Sequence, residues 1–151
     1  PTRRSSDLTL LVTTAPQAFH YGIAGGGVYD WKLYDTHYTE RFMSTPEDNP
    51  EGYALTRVID RISAYPVRYP GAELKEGEVS DGSVMLKLTH GTGDDNVHFQ
   101  NTLQLIDALH KMGADFDFMV YPDGMHGYRG YQGTHFLEAN RAFWLHYLKG
   151  E

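Results

Sequence analysis

Asp94 and His126 offer the most direct chemistry in this chain. Each falls in a loop just past an expected strand, Asp94 within HGTGDDNVHFQ (90–100) and His126 within DGMHG (123–127). A histidine works as a general base only when one tautomer is held and its cation is stabilised, and a carboxylate bonded to Nδ1 does both. Gly124 and Gly127 nearly bracket His126 and leave the backbone free to aim the ring. On loop position alone, a plain structural hydrogen bond between the loops stays open as the alternative. A second group is aromatic. Trp31, Tyr34 and Tyr38 are three and four residues apart, so a helix would set their rings on one face. Such a stripe makes either ordinary core or a flat apolar pocket wall with hydroxyls at its rim.

A nucleophile for this pair is missing. No serine has glycine two residues away on both sides, as a G-x-S-x-G elbow requires. The chain has no cysteine to supply a thiolate. His90, Asp94 and His98 are residue types that zinc accepts. A residue just after a strand and another near a helix start seldom converge, so no metal and no cofactor is expected. Asp95 reads as a loop-stabilising carboxylate, and His20, His37, His110, His135 and His146 read as surface or packing residues. Gly25, Gly26 and Gly27 directly follow a short strand and mark backbone that turns sharply or lets a neighbour approach. They make no phosphate cradle, since neither G-x-x-x-x-G-K-S/T nor a helix-opening G-x-G-x-x-G is present.

Periodicity gives the elements that must position these residues. Residues 8–18 have the apolar content of a helix end stopped by Pro16, and 19–24 alternate as a strand. VYDWKLYDTHYTERFM (28–43) reads as one helical stretch, 45–53 as a turn-rich connector and 54–63 as a short helix. Residues 66–83, rich in proline, glycine and charge, read as a solvated loop or hairpin. Then come a strand at 84–89, a helix at 102–112 closed by Gly113, a strand at 116–120 and a last helix at 134–149 with Gly150 beyond it. The alternation predicts an α/β fold, a mostly parallel sheet with flanking helices. In such sheets reactive residues collect at the carboxyl ends of strands, where Asp94 and His126 both fall.

The 151 residues suffice for one domain with a core, and a net charge of −7 leaves no positive footprint for a nucleic-acid partner. No apolar run reaches the roughly 20 residues that a membrane crossing needs. The absence of cysteine leaves the compartment open. The opening segment 1–8, PTRRSSDL, has no periodicity or cap joining it to the neighbouring residues, and it matches an in-frame translation of a DNA-sequencing adapter. It is set apart as non-native, which leaves 9–150 as the domain.

HGTGDDNVHFQ, with YPDGMHG (121–127) downstream, resembles the prolyl oligopeptidase family of serine peptidases. VYDWKLYDTHYTERFM followed by TPEDNPEGY (45–53) narrows the resemblance to the dipeptidyl peptidase IV branch, over about Thr9 to Gly150. The implied fold is the C-terminal half of an α/β-hydrolase, truncated before the nucleophile elbow. The family's order Ser, Asp, His makes Asp94 the triad aspartate and His126 the triad histidine. The resemblance also implies that Trp31, Tyr34 and Tyr38, with Val28 and Val97, wall the pocket for the substrate residue whose carbonyl is cleaved. Asn96 would contact the substrate backbone. The implied parent is an exopeptidase that releases N-terminal dipeptides from peptides with Pro or Ala second, with room for a homodimeric assembly. Without a serine in the elbow, this polypeptide alone is expected to be inactive. Two other readings share the wording: an acylaminoacyl or oligopeptidase relative with the same triad, and a catalytically dead hydrolase-fold binding module. A compact apolar slot suits a proline ring by shape, and proline's missing amide hydrogen defeats peptidases that rely on that bond. The loop at 71–83 looks longer than in relatives.

Overall fold

The computed structural model describes residues 2–69 and 83–150. Among these residues the sheet has three strands, β1 (Tyr21–Gly25), β2 (Met85–Gly91) and β3 (Asp117–Tyr121), in that spatial order. All pairings are parallel, with Gly25 opposite Thr89 and Gly91 opposite Tyr121, so the carboxyl ends gather at one edge. Every residue of the central strand β2 is buried. A strand covered on both faces has no polar side to show, which is why VMLKLTH lacks a clean alternation. Leu86 and Leu88 at its centre are 0% exposed and join Val12, Ala24, Leu105 and Leu109 in one core.

Helix α1 (Thr2–Thr14) runs unbroken through the opening residues that the sequence reading set apart. Within it the Ser6 hydroxyl donates to the Val28 carbonyl (2.6 Å), and Leu8 packs on the core. Gly22 lets this helix close on β1, since a Cβ there would lie 2.9 Å from a Val12 methyl.

The single helix expected over 28–43 is two pieces. A 3-10 turn covers Trp31–Leu33, Tyr34 and Asp35 are extended, and α2 covers Thr36–Met43. Two aspartates cause the break. Asp30 accepts from the Lys32 amide and Asp35 from the Tyr38 amide, each capping a new start instead of continuing the last turn. Helix α3 (Pro50–Thr56) begins earlier than its apolar pattern suggests, because Asn49 caps it and Pro50 takes the first helical position. A further 3-10 turn covers Val58–Arg61. Most of the 66–83 loop or hairpin lies outside the described residues.

Helix α4 (Gln100–Met112) connects β2 to β3 and buries Asn101, Thr102, Leu105, Ile106 and Leu109. It ends at Gly113, whose φ of 70° is the left-handed stop that glycine permits. Helix α5 (Gly130–Lys149) starts four residues before the segment read from periodicity. It leans on the sheet through Lys87 Nζ, 2.8 Å from the Ala139 carbonyl, and through the ring pair Tyr21–Tyr147 at 5.0 Å. Burial of the Lys87 ammonium pushes its pKa down.

Candidate active site

The loops that leave β2 and β3 are stapled together backbone to backbone. The Thr92 amide donates to the Tyr121 carbonyl and the Gly93 amide to the Gly124 carbonyl, both at 3.0 Å. The Asp123 amide donates to Thr92 Oγ1 (2.9 Å). Gly91 makes this approach possible, because a Cβ on it would overlap the Gly124 carbonyl itself. His90 and Gly91, read as loop from the sequence, are the last two residues of β2. The loop carrying Asp94 is thus built directly on the most buried strand.

This staple brings Asp94 and His126 together. Asp94 Oδ2 lies 2.9 Å from His126 Nδ1. The other oxygen, Oδ1, accepts from the Asn96 amide at 3.0 Å and the Val97 amide at 2.9 Å, so the carboxylate cannot rotate freely. A carboxylate only accepts, so Nδ1 of His126 donates this bond and Nε2 is the ring nitrogen left without a part in it. The Asp94 side chain is 1% exposed and that of His126 is 28% exposed. One partner is therefore fixed and dry, while the other reaches solvent. Gly26, with φ of 56°, packs against both: a Cβ there would be 3.2 Å from the imidazole and 3.3 Å from Asp94 Oδ2. This is the close neighbour that the triple glycine signalled.

His126 lines a cavity of about 640 Å³ with Thr89, Phe136, Asn140 and Trp144 among its walls. Ser5 lines it too, but its hydroxyl donates to the Gly25 carbonyl (2.8 Å), not to the imidazole. Tyr128 shuts the back of this region. Its hydroxyl donates to Thr89 Oγ1 (3.2 Å), and burial pushes its pKa up to about 12.

The aromatic group also assembles, although no single helix carries it. Trp31 and Tyr38 are nearly parallel (15°) with centroids 6.4 Å apart, and Tyr34 meets both edge-on at 5.8 and 5.6 Å. The Tyr34 hydroxyl donates to Asn96 Oδ1 (2.8 Å), which joins this cluster to the Asp94 loop and leaves the Asn96 amide hydrogens for other partners. Val28 and Val97 are enclosed, at 1% and 0% exposure. A linkage that sequence reasoning missed holds the cluster in place. Asn101, at the start of α4 and 0% exposed, accepts from the Tyr29 and Asp30 amides at 3.1 and 3.2 Å. Asp30 is held in turn by Arg57 Nε (2.7 Å). Asn101→Ala should therefore cost about 2–3 kcal/mol, since it leaves two buried amides without an acceptor. Chemical denaturation would check this, and a loss below about 0.5 kcal/mol would contradict it. Nothing in the sequence pairs Asn101 with Tyr29, because the contact spans 72 positions.

The place of His90 in the fold was equally hidden. It is 0% exposed at the end of β2, with Nδ1 2.6 Å from Thr102 Oγ1 and Nε2 2.8 Å from the Val97 carbonyl. Both ring nitrogens are thus used within the fold. Asp95 and His98 are exposed, in the same loop.

The model of the prolyl oligopeptidase family matches residues 8–151 of this chain. A probable dipeptidyl-aminopeptidase B from Uncinocarpus reesii is 41% identical over 139 residues, which is 91% of this chain and 14% of that protein. A counterpart from Coccidioides posadasii is 39% identical over 140 residues, again 91% of this chain and 13% of the relative. Among solved structures, dipeptidyl peptidase 4 of Porphyromonas gingivalis superposes with a TM-score of 0.72 at 32% identity, covering 89% of this chain and 17% of its own. A Bacteroides ovatus structure assigned as a dipeptidyl aminopeptidase IV gives 0.77 at 28% identity, covering 93% and 17%. The chain thus spans about one seventh of the length of the curated relatives it matches.

Proposed function

This chain belongs to the prolyl oligopeptidase family, and from that premise we propose that it supplies the acid–base half of a serine exopeptidase that removes N-terminal dipeptides by acyl transfer. The observation that carries the reading is the Asp94 Oδ2 to His126 Nδ1 bond of 2.9 Å, with Oδ1 locked by two backbone amides. In the proposed reaction His126 Nε2 takes the proton of a serine hydroxyl as the oxygen attacks the scissile carbonyl. The imidazolium, steadied by Asp94, then gives that proton to the departing amine, and water repeats the cycle on the acyl-enzyme.

Trp31, Tyr34 and Tyr38, backed by Val28 and Val97, would wall the pocket of the residue whose carbonyl is cleaved. Flat rings around a small volume favour proline or alanine. The Asn96 side-chain amide, whose oxygen is occupied by Tyr34, has its two hydrogens available for a substrate carbonyl.

The serine comes from sequence outside these 151 residues, because none here stands in G-x-S-x-G. Two measurements test the reading. The complete polypeptide containing this sequence should hydrolyse Gly-Pro and Ala-Pro chromogenic amides faster than substrates with a blocked amino terminus. The 151-residue chain alone should take up no fluorophosphonate, and covalent labelling of Ser5 or any other serine would refute its inactivity.

A further inference from the structure

We propose that His90 is a positioning residue for the Asp94–His126 pair: its Nε2–H, beyond holding the Val97 carbonyl, shares Asp94 Oδ2 with His126 Nδ1–H and tempers the pull of that oxygen on the base. His90 Nε2 lies 3.2 Å from Asp94 Oδ2, the same oxygen that sits 2.9 Å from His126 Nδ1. The tautomer is dictated by the partners. A carbonyl cannot donate, so the nitrogen facing Val97 carries the hydrogen, and Nδ1 accepts from the Thr102 hydroxyl. The nitrogen that bears it is 2.8 Å from the Val97 carbonyl and 3.2 Å from the Asp94 carboxylate.

The two imidazoles differ in how they are held. His126 is on a loop and is partly exposed, as befits a group that moves a proton. His90 is on the central strand, occupied at both nitrogens, and stacked edge-on against Phe99 at 5.4 Å. Burial lowers its pKa, so it stays neutral and presents a donor to Asp94 without adding a second positive charge beside His126. Asp94 Oδ1 already has its two amides, and His90 Nε2, fixed on the central strand, lies 3.2 Å from the oxygen that serves the base. The other ionisable side chains around His126 are Asp95, Asp123 and Arg129, which line a groove beside it, and Tyr128 behind it.

The inference rests on the peptidase reading for its purpose, yet its test needs no turnover. The His126 ring is titrated by NMR in the full 151-residue chain, with His90→Gln and His90→Met compared. Glutamine places an N–H near the position of Nε2, and methionine removes it. His90→Met should move the His126 midpoint upward by about one pH unit, a tenfold gain in proton affinity, because Oδ2 then serves His126 alone. His90→Gln should leave the midpoint within about 0.3 unit. Equal shifts in both variants, or none in His90→Met, would overturn the proposal. Should His90→Met fail to fold, the 15N shifts of His90 in the unsubstituted chain decide. A neutral Nε2–H ring from about pH 5 to 8 whose Nε2 shift moves as His126 titrates supports the proposal, whereas an imidazolium, an Nδ1–H ring or an Nε2 shift that does not follow His126 overturns it. Activity of the complete enzyme is a separate measurement, so a failed peptidase assay with the expected titrations would sink the reaction but not the role of His90.

Discussion

Asp94→Asn should lower kcat of the proposed peptidase about 10⁴-fold while the chain still folds. The size comes from the hydrogen count. Asp94 Oδ2 now accepts from His126 Nδ1. With an amide NH2 in its place two donors face each other, and the ring relieves the conflict by moving its proton to Nε2, the atom that takes the serine's in the proposed reaction. Turning the amide over instead sets NH2 against the Asn96 and Val97 amides, which meet Oδ1 at 3.0 and 2.9 Å. Only that second orientation leaves buried donors unsatisfied, at a cost of about 1–3 kcal/mol, so the first is favoured and stability should fall by less than this. Steady-state hydrolysis of a Gly-Pro amide alongside a denaturation curve reads both quantities. A loss of activity below about 10-fold would mean that Asp94 does not orient the base.

Gly91→Ala should do more harm to the fold than any other single methyl added at this site. The new Cβ would overlap the backbone carbonyl of Gly124, which no side-chain rotation relieves. To make room the two loops must part, with loss of the Thr92–Tyr121 and Gly93–Gly124 hydrogen bonds. A destabilisation of at least about 3 kcal/mol is expected, in the range reserved for steric conflicts in packed interiors. In whatever fraction still folds, a displacement of about 1 Å between Asp94 and His126 should cost about 100-fold in rate. Gly127→Ala is the matched control. A Cβ there meets nothing within 4 Å, so its stability should stay within about 0.5 kcal/mol of the parent. Urea melts of the two variants provide the check, and similar midpoints would contradict the account.

Much of the site was legible because its residues are chemically specialised and sit where α/β sheets collect reactive groups. Asp94 and His126 each follow a strand, and the parallel register of β2 with β3 brings their loops side by side. The aromatic triad was also legible, but for an incomplete reason. Its spacing suggested one helix, whereas Asp30 and Asp35 cap separate turns and break it at Tyr34. The rings converge because Asn101 and Arg57 pin the segment from outside, not because a helix face aligns them.

The structural roles of His90, Gly91 and Asn101 stayed hidden for a shared reason. A histidine at a strand end, a glycine beside it and an asparagine at a helix start each have an ordinary local explanation, and their partners lie on other segments. The opening residues are a different case. They lack a sequence pattern, yet the structure continues α1 through them, with Ser6 bonded to Val28.

By itself the sequence determined the kinds of element, their order and the acid–imidazole pair that is the candidate for proton transfer, because periodicity and residue chemistry are local properties. Only the tertiary structure decided which nitrogen of His126 meets which oxygen of Asp94, that a neutral imidazole leans on the same oxygen, and that Gly91 and Gly26 leave the space for it. Those outcomes depend on distances of a few tenths of an ångström between segments far apart in the chain. Such distances are set by the packing of β1, β2 and β3 with their loops, and no short stretch of residues encodes them alone.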